Sequence, residues 1–224
     1  MSSQADPNLP TLTEYFDYSC HACADLDAVM GEDLTTWASE GHYNLELQPV
    51  ITADWEYLKP ATGASLVVAQ KAPGKWVEFH HALLAYFRTQ FQAGNGRVAQ
   101  NLDASWKQVK QIATEVGVPA DVIATFPVNA VEPYLEASSN AWKNASVDGR
   151  KPNELGTPEL VKDHSTLVTL TNDPESMRAA IKELFGFSDS ATPLVDPTSA
   201  PAATEPSQSG DGQSQSEGTT TGSN

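Results

Sequence analysis

The sequence predicts an α/β fold in which a strand–helix–strand unit and a later strand–strand–helix unit flank a long helical block. Three observations predict this order. Residues 11–18 (TLTEYFDY) and 44–51 (NLELQPVI) have the composition of strands and enclose a segment with helical spacing of apolar residues. Residues 61–146 have helical patterns throughout. Strand-like segments return at 159–161 and 166–171, ahead of a last amphipathic segment.

The helix of the first unit begins directly after the first strand. Its apolar residues recur at three- and four-residue spacing, and Gly41 stands where a C-terminal cap belongs. These residues are Leu26, Val29, Met30, Leu34 and Trp37. The turn between strand and helix contains Cys20 and Cys23, the two cysteines of the chain.

The central block is expected to contain several helices. The stripe of the first consists of Trp76, His80, Leu83, Leu84, Phe87 and Phe91. Together with Phe79, we interpret these aromatic residues as core, and His80 as a packed histidine and not a metal ligand. Asp103 is expected to cap a second helix, which Gly117 and Pro119 end, and Pro133 suits the first turn of a third.

The last helix has signals at both ends. Asp173 is expected to cap it, with Pro174 at its first position and Gly186 just past its end. Its apolar stripe consists of Met177, Ile181, Leu184 and Phe185.

The composition divides the chain into three parts. Residues 1–10 are expected to be a flexible N-terminus, and residues 11–188 a folded domain. Residues 189–224 contain five acidic residues, no basic or aromatic ones, and many Ser, Thr, Gly, Pro and Gln. Such a segment cannot bury enough apolar surface to offset its chain entropy, so we predict a disordered acidic tail.

The net charge of −16 indicates which partners are excluded. A field of this sign repels phosphates and anionic head groups, so nucleic acid and a polybasic membrane contact are not expected. The sequence has no apolar run long enough to span a membrane, and its first ten residues are polar. We expect the natural protein to carry a signal or anchor ahead of this segment.

Cys20-His21-Ala22-Cys23 is the motif with the clearest chemistry. Two thiols three residues apart in the first turn of a helix can close a disulfide, and unpaired helical amides favour a thiolate at the first position. A zinc site would need two further ligands, and the histidines show no second pair at the required spacing. The βαβ setting therefore favours a redox pair over a zinc site or an inert disulfide, which remain alternatives.

The segment from Glu14 to Cys23 (EYFDYSCHAC) resembles the active-site stretch of the DsbA-like thiol:disulfide oxidoreductases. Gly156-Thr157-Pro158 resembles the cis-proline loop of that family. The resemblance extends over about residues 11–187 and implies a thioredoxin fold, with βαβ and ββα halves and a helical insertion at about 61–146.

The resemblance implies a role for five residues. Cys20 matches the exposed nucleophile of the family, and Cys23 its buried partner. Thr157 and Pro158 match the loop that packs against the disulfide and binds an extended substrate peptide. Glu14 matches a buried carboxylate that accepts the proton of the second cysteine, and the alternative is an exposed strand residue.

The motif departs from the best-known members between the two cysteines. Those members have Pro after the first cysteine and His before the second, where this chain has His21 and Ala22. A protonated His21 can stabilise a Cys20 thiolate, and the alternative is a solvent-facing residue without a role. Nearby acidic residues oppose the thiolate, so we expect a milder oxidant than the strongest members. These are Asp17, Asp25 and Asp27.

The resemblance implies an enzyme that forms disulfides in extracytoplasmic proteins, whether secreted, periplasmic or in the cell envelope. Its expected partners are reduced or unfolded protein substrates and a membrane-bound redox partner, with no cofactor and no metal. The alternatives are a disulfide isomerase or reductase and a non-enzymatic peptide-binding thioredoxin-like module. A glutathione-transferase-like relative is disfavoured because that branch has no need of an intact Cys20 and Cys23.

Overall fold

The computed structural model of the protein describes residues 5–94, 96, 100–127, 131–151 and 154–188. The tail for which the sequence predicts disorder, residues 189–224, lies outside this range. Part of the N-terminal segment packs against the domain, because Asn44 donates hydrogen bonds to the carbonyls of Asp6 and Leu9. No helix in the described residues is long and apolar enough to cross a membrane.

A four-stranded mixed sheet forms the centre of the fold. Its strands are β1 (Thr11–Phe16), β2 (Asn44–Pro49), β3 (Glu159–Lys162) and β4 (Thr166–Val168). Their spatial order is β2-β1-β3-β4, with β1 parallel to β2 and the other two pairs antiparallel. Because β1 lies between β2 and β3, the residues that follow β1 have the end of β2 on one side and the start of β3 on the other.

Three of the strands are shorter than predicted, and one of them is β2, which ends at Pro49 instead of residue 51. β1 ends at Phe16 instead of residue 18, because the Asp17 carbonyl accepts a turn hydrogen bond from the Cys20 amide at 2.9 Å. β4 ends at Val168 instead of residue 171, and Thr171 hydrogen-bonds to Asp173 ahead of the last helix.

The alternation of side chains along β1 divides the sheet into two faces. Leu12, Glu14 and Phe16 point to one face and are buried there. We call it the α1 face, after helix α1 (His21–Leu26). Thr13 and Tyr15 point to the other, which we call the α7 face because Tyr15 lies against Trp142 of helix α7 (Glu132–Asn144), with ring centroids 6.2 Å apart.

The first predicted helix is interrupted in the structure. It consists of α1 (His21–Leu26), a π-helical turn (Asp27–Gly31) and α2 (Glu32–Ser39), and Gly41 follows with a φ of 85°. The π turn contains one more residue per turn than an α-helix. Val29, which the sequence places in the apolar stripe, lies in this turn and is 38% exposed.

The helical block runs from Leu58 to Asn144, close to its predicted bounds. Its helices are α3 (Leu58–Lys71), α4 (Pro73–Gln92), α5 (Leu102–Glu115), α6 (Ala120–Ile123) and α7 (Glu132–Asn144). Two expectations were wrong. Asn101 and not Asp103 caps α5, because the Asn101 side chain accepts from the Ala104 amide at 2.9 Å. Phe91 is 42% exposed, because it lies on the last turn of α4, beyond the packed part of the stripe.

The last helix, α8 (Pro174–Phe185), begins and ends as predicted. The Asp173 side chain accepts from the Ser176 amide, and Gly186 has a left-handed φ of 73°. Two apolar clusters fill the interior. One joins Phe16 to α3, α4 and α5 through residues such as Tyr57, Leu83 and Val109. The other packs Leu12 against α2 and α8.

Candidate active site

The two cysteines lie at the junction of β1 and α1. Cys20 is the N-cap of α1, with extended backbone (φ −94°, ψ 121°), and its side chain is partly exposed. Cys23 lies one turn into the helix, is fully buried and belongs to the apolar cluster around Phe16. Both are free thiols in this structure. A reacting partner therefore has access to Cys20 and none to Cys23.

The surroundings of the two thiols differ in their effect on ionisation. A hydrogen bond from the Cys23 thiol is the main cause that lowers the pKa of Cys20 to about 6. The Thr157 side chain and the backbone amides of Ala22 and Cys23 lower the pKa further, against the opposing effect of burial. Burial first, and then Cys20 itself, raise the pKa of Cys23 well above its ordinary range. At neutral pH the dithiol thus has one thiolate, on the accessible sulfur.

The predicted proline loop lies beside the nucleophile. The peptide bond between Thr157 and Pro158 is cis. The Cys20 Sγ lies 3.4 Å from the Thr157 carbonyl oxygen, to which a thiol can donate. The loop arrives there because β3 begins at Glu159 and pairs antiparallel with β1. An open cavity of about 360 Å³ continues from Thr157 and Pro158 along Gly156 and β4.

A buried carboxylate, Asp17, holds the loops around Cys20 in place. Its Oδ1 accepts from the amide of Ser19 at 2.7 Å and from the hydroxyl of the same residue at 2.6 Å. Its Oδ2 accepts from the amides of Thr52 and Ala53 and from the Thr52 hydroxyl, at 2.9, 2.9 and 3.1 Å. The Thr52 hydroxyl also contacts that of Thr157, at 2.8 Å.

Glu14 is buried on the α1 face of β1, with 5% of its surface exposed. Its neighbours across the strands are Leu47 and Leu160. Burial, with a smaller contribution from the negative charge of Asp27, raises the pKa of Glu14 to about 8. Of the two possibilities left open by the sequence, the structure excludes an exposed strand residue.

His21 is exposed and its ring is stacked. It lies parallel to the ring of Phe91, with centroids 4.6 Å apart and planes 7° apart. The ring centroid of Phe91 in turn lies 6.4 Å from that of Trp55. His21, the first of the two residues between the cysteines, is thus exposed to solvent on one side and in contact with the helical block on the other.

The acidic residues expected to oppose the thiolate are each engaged elsewhere. Asp17 makes the hydrogen bonds described above, and Asp25 pairs with Arg88 at 2.6 Å. Asp27 hydrogen-bonds to His81 at 2.7 Å. Partners of this kind compensate negative charge, which limits its effect on a neighbouring sulfur.

The described residues contain one cluster with ligand atoms close enough for a metal ion: Asp27, His80 and His81, within 4.8 Å of one another. The hydrogen bond between Asp27 and His81 occupies two of these atoms. His80 is buried, as predicted, and its Nδ1 lies 2.9 Å from the hydroxyl of Tyr18, which donates to Ser65. Burial lowers the pKa of His80 to about 4, so its ring is neutral at pH 7.

The sequence interpretation missed the roles of three residues of this site. It named Asp17 only as a nearby negative charge and Phe91 only as a core residue, and it did not name Thr52. A local signal exists for Asp17, because an Asp two residues before Ser at a strand end is typical of an Asx turn. Thr52 and Phe91 reach the site across 35 and 70 positions of the chain, and no local pattern indicates such contacts.

No family model matches the sequence, and neither does any curated protein sequence. Solved structures match it over most of its length. The MdbA thiol-disulfide oxidoreductase of Actinomyces oris is 24% identical, with a TM-score of 0.65 over 80% of each chain. MdbA of Corynebacterium diphtheriae is 18% identical, with a TM-score of 0.56 over 79% of this chain and 85% of its own.

Reduced DsbA of Mycobacterium tuberculosis is 19% identical, with a TM-score of 0.54 over 82% of this chain and 88% of its own. These likenesses confirm the fold that the sequence predicts. The chain has a DsbA-like thioredoxin fold, with its βαβ and ββα halves separated by a helical insertion.

Proposed function

We propose that this chain is a thiol:disulfide oxidoreductase that forms disulfides in extracytoplasmic proteins through Cys20 and Cys23. The observation that carries the proposal is the difference between the two thiols. Cys20 is accessible and its pKa is lowered to about 6, whereas Cys23 is buried and its pKa is raised. A structural disulfide does not require such a difference, whereas thiol–disulfide exchange depends on it, since thiolates attack and low-pKa thiols leave readily.

The reaction begins from the oxidised protein. A substrate thiolate attacks Cys20 Sγ, the bond between Cys20 and Cys23 breaks, and a mixed disulfide forms between substrate and Cys20. The sulfur of Cys23 leaves with the electron pair and takes up a proton, for which Glu14 is the proposed donor. A second substrate thiolate then attacks the substrate sulfur and releases Cys20 as a thiolate. Two electrons have passed from substrate to protein, and a membrane-bound partner is proposed to remove them.

The loop at Thr157 and Pro158 is the proposed substrate-binding element. Its backbone lies beside Cys20, and an extended peptide placed there would add a strand next to the site. The adjoining cavity offers room for side chains of such a peptide. The solved structures with the same fold are named as thiol-disulfide oxidoreductases, which supports the same class of reaction here.

Trapping of mixed disulfides tests the assigned roles. Cys23→Ser has no active-site disulfide, so its Cys20 thiolate attacks the disulfide of an oxidised substrate protein, displaces one substrate thiolate and remains in a mixed disulfide that no Cys23 thiol can resolve. This variant is expected to accumulate such covalent complexes. Cys20→Ser, the matched control, should accumulate few. Complexes are separated by non-reducing electrophoresis and released by reductant. Equal trapping by both variants would remove the assignment, and trapping by neither would favour a non-enzymatic peptide-binding module.

Melting of the oxidised and reduced forms tests the direction of the reaction. A thiolate on Cys20 stabilises only the reduced protein, and does so fully above the unfolded thiol pKa of about 8.5. The stabilisation disappears as the pH falls through 6. Because Cys20 is partly exposed, we expect only about 1–2 kcal/mol between pH 7 and 8.5, or roughly 2–8 °C in favour of the reduced form.

An isomerase or reductase is the second candidate, and the same curves distinguish it. If the oxidised protein melts clearly higher at pH 7, and the difference does not change between pH 5.5 and 8.5, the oxidase assignment is wrong. The absence of a pH dependence would also contradict the proposed ionisation of Cys20.

A further inference from the structure

The hydrogen bonds around His80 determine which of its ring nitrogens has a proton. The Tyr18 hydroxyl donates its one proton to Ser65 at 2.9 Å, so its oxygen accepts at its 2.9 Å contact with His80 Nδ1. The ring of His80 is buried and neutral and has a single N–H, which is therefore on Nδ1. The other nitrogen, Nε2, has a lone pair and lies 3.9 Å from Oδ1 of Asp27.

Two acceptors thus face each other, the Nε2 lone pair of His80 and the carboxylate of Asp27. Their separation is too long for a hydrogen bond, and neither has a proton to donate. The same Asp27 oxygen accepts from Nδ1 of His81 at 2.7 Å, so a neutral His81 has its lone pair on Nε2. That atom is buried and has no hydrogen-bond partner among the described residues. An arrangement of facing acceptors of this kind attracts a positive ion.

We propose that Asp27, His80 and His81 together bind one divalent transition-metal ion, such as Zn²⁺. Two imidazoles and one carboxylate are a ligand set of zinc sites in which water takes the fourth position. Ligand bonds to zinc of about 2.1 Å can span a separation of up to about 4.2 Å, which accommodates the 3.9 Å between Asp27 and His80.

His81 completes the ligand set by a shift of its proton. The proton on Nδ1 moves to Nε2, and the lone pair on Nδ1 then binds the ion, so a neutral ring releases no proton. The 2.7 Å between His81 Nδ1 and Asp27 Oδ1 must widen to about 3.3 Å, the ligand separation of a tetrahedral zinc site. Asp27 and His81 have side chains that are 10% and 28% exposed, so an ion can enter past His81.

The chain orients the ring of His80 as metal-binding histidines are oriented. Such a histidine almost always donates its second ring N–H to a fixed acceptor. Here that acceptor is the Tyr18 hydroxyl, which Ser65 holds in place, and Ser65 also accepts from the indole of Trp76 at 3.0 Å. Nε2 of His80 therefore has its orientation before an ion binds.

The π turn supplies the space for this cluster. Asp27 begins the turn and Gly31 ends it. A Cβ on Gly31 would collide with the Asp27 carboxylate and would lie 2.9 Å from Cε1 of His81. π turns within α-helices are frequent at functional sites. The sequence interpretation treated His80 as packed only, because no local pattern indicates that Asp27 lies against both histidines.

Zinc titration tests the proposal in the full chain with Cys20→Ser and Cys23→Ala, so that no thiol competes as a ligand. After removal of bound metal with a chelator, calorimetric titration with Zn²⁺ at pH 7 should show one site per chain. His81→Gln removes a ligand and should weaken binding by more than about 100-fold. Tyr18→Phe removes only the acceptor that orients His80, and should weaken it by about 10–100-fold.

His42→Gln is the matched control, because the exposed pair of His42 with Glu40 lies outside the cluster. Its affinity for zinc should equal that of the background protein. Excess Zn²⁺ should raise the melting temperature of the background protein and of His42→Gln, and leave that of His81→Gln unchanged. If His81→Gln does not fold, Asp27→Asn gives the same comparison.

Two results would overturn the proposal. One is the absence of zinc binding, and the other is binding that His81→Gln leaves unchanged. Asp27 and His81 would then form a hydrogen-bonded pair and nothing more. The proposed function is tested separately, since the protein used for the zinc titration has no thiols.

Discussion

Two buried carboxyl groups on opposite faces of the sheet have contrasting surroundings. Glu14 lies on the α1 face and Glu159 on the α7 face, paired in register with the neighbours Leu160 and Tyr15. Their exposed fractions are almost equal, 5% and 6%. Depth of burial is therefore the same, and the difference lies in the groups around them.

Glu159 is surrounded by donors. Arg150 donates to both of its oxygens, at 2.9 and 2.6 Å, and the Trp142 indole donates at 2.6 Å. Arg150 also donates to the carbonyls of Trp142 and Ala145, which fastens the end of α7 to the start of β3. A buried ion pair of this kind fixes the direction in which the chain enters β3, directly after the proline loop.

Glu14 lies among aliphatic side chains. Within the described part of the chain no basic side chain forms an ion pair with it, and its pKa is about 8. A carboxyl group with such a pKa exchanges protons readily with a thiol near neutral pH. Burial is the same for both residues, so the presence or absence of a basic partner determines their roles. Glu159, paired with Arg150, holds a loop in place, whereas Glu14, without such a partner, is suited to proton transfer.

The largest effect is expected from breaking the pair on the α7 face. Arg150→Leu leaves Glu159 buried without a counter-charge, which should cost about 3–5 kcal/mol of unfolding free energy. Urea denaturation of the parent protein and of the variant at pH 7 measures this loss of unfolding free energy. Lys151→Leu is the matched control, because the pair of Lys151 with Glu154 is exposed and should be worth under about 1 kcal/mol. Similar small losses in both would mean that Glu159 does not depend on Arg150.

An intermediate effect of the opposite sign is expected on the α1 face. The folded pKa of Glu14 lies above the unfolded one, so its contribution to stability is complete below about pH 4.5 and is lost as the pH rises toward 8. Glu14→Gln cannot ionise and should gain about 2–3 kcal/mol at pH 7, with little gain at pH 4. In the proposed reaction it should also slow formation of the mixed disulfide, because a glutamine at this position cannot give a proton to the departing sulfur of Cys23.

Thermal melting at the two pH values tests the change in Glu14, with the exposed Glu56→Gln as control. A gain that is equal at pH 4 and pH 7 would show that folding does not raise the pKa of Glu14. It would then be unsuited to the role proposed for it.

The smallest effect is expected from the charge next to Glu14. Asp27→Asn removes the lesser cause of its raised pKa and leaves burial in place. The pKa of Glu14 should fall by less than about one unit, or about 1 kcal/mol. The pKa of Glu14 is measured from the infrared band of its protonated carboxyl group as a function of pH, with Asp25→Asn as control. A return of Glu14 to the ordinary range would make charge, and not burial, the main cause.

The sequence could predict the elements and the dithiol because their signals are local. The alternation in β1, the spacing of α8 with Asp173 at its start, and the motif at Cys20 each lie within a few residues of one another. Glu14 and the proline loop were identified through the resemblance, since neither has a local signal of its own.

The contacts that determine chemistry were less accessible to prediction. Asp17 reaches Thr52 across 35 positions and Cys20 reaches Thr157 across 137, so tertiary packing alone brings them together. Phe91 was misplaced for a related reason. Periodicity indicates which residues share a helix face, and it does not indicate how far along the helix that face remains covered.

The π turn after the active-site helix has a consequence for changes in chain length. Each residue of an α-helix advances the side-chain direction by about 100°, and the extra residue at Asp27–Gly31 adds one such step between Cys23 and Leu34. A deletion of one residue here would restore regular winding and rotate either Leu34 out of the core or Cys23 away from its burial. Related sequences are therefore expected to accept substitutions in this turn more readily than insertions or deletions.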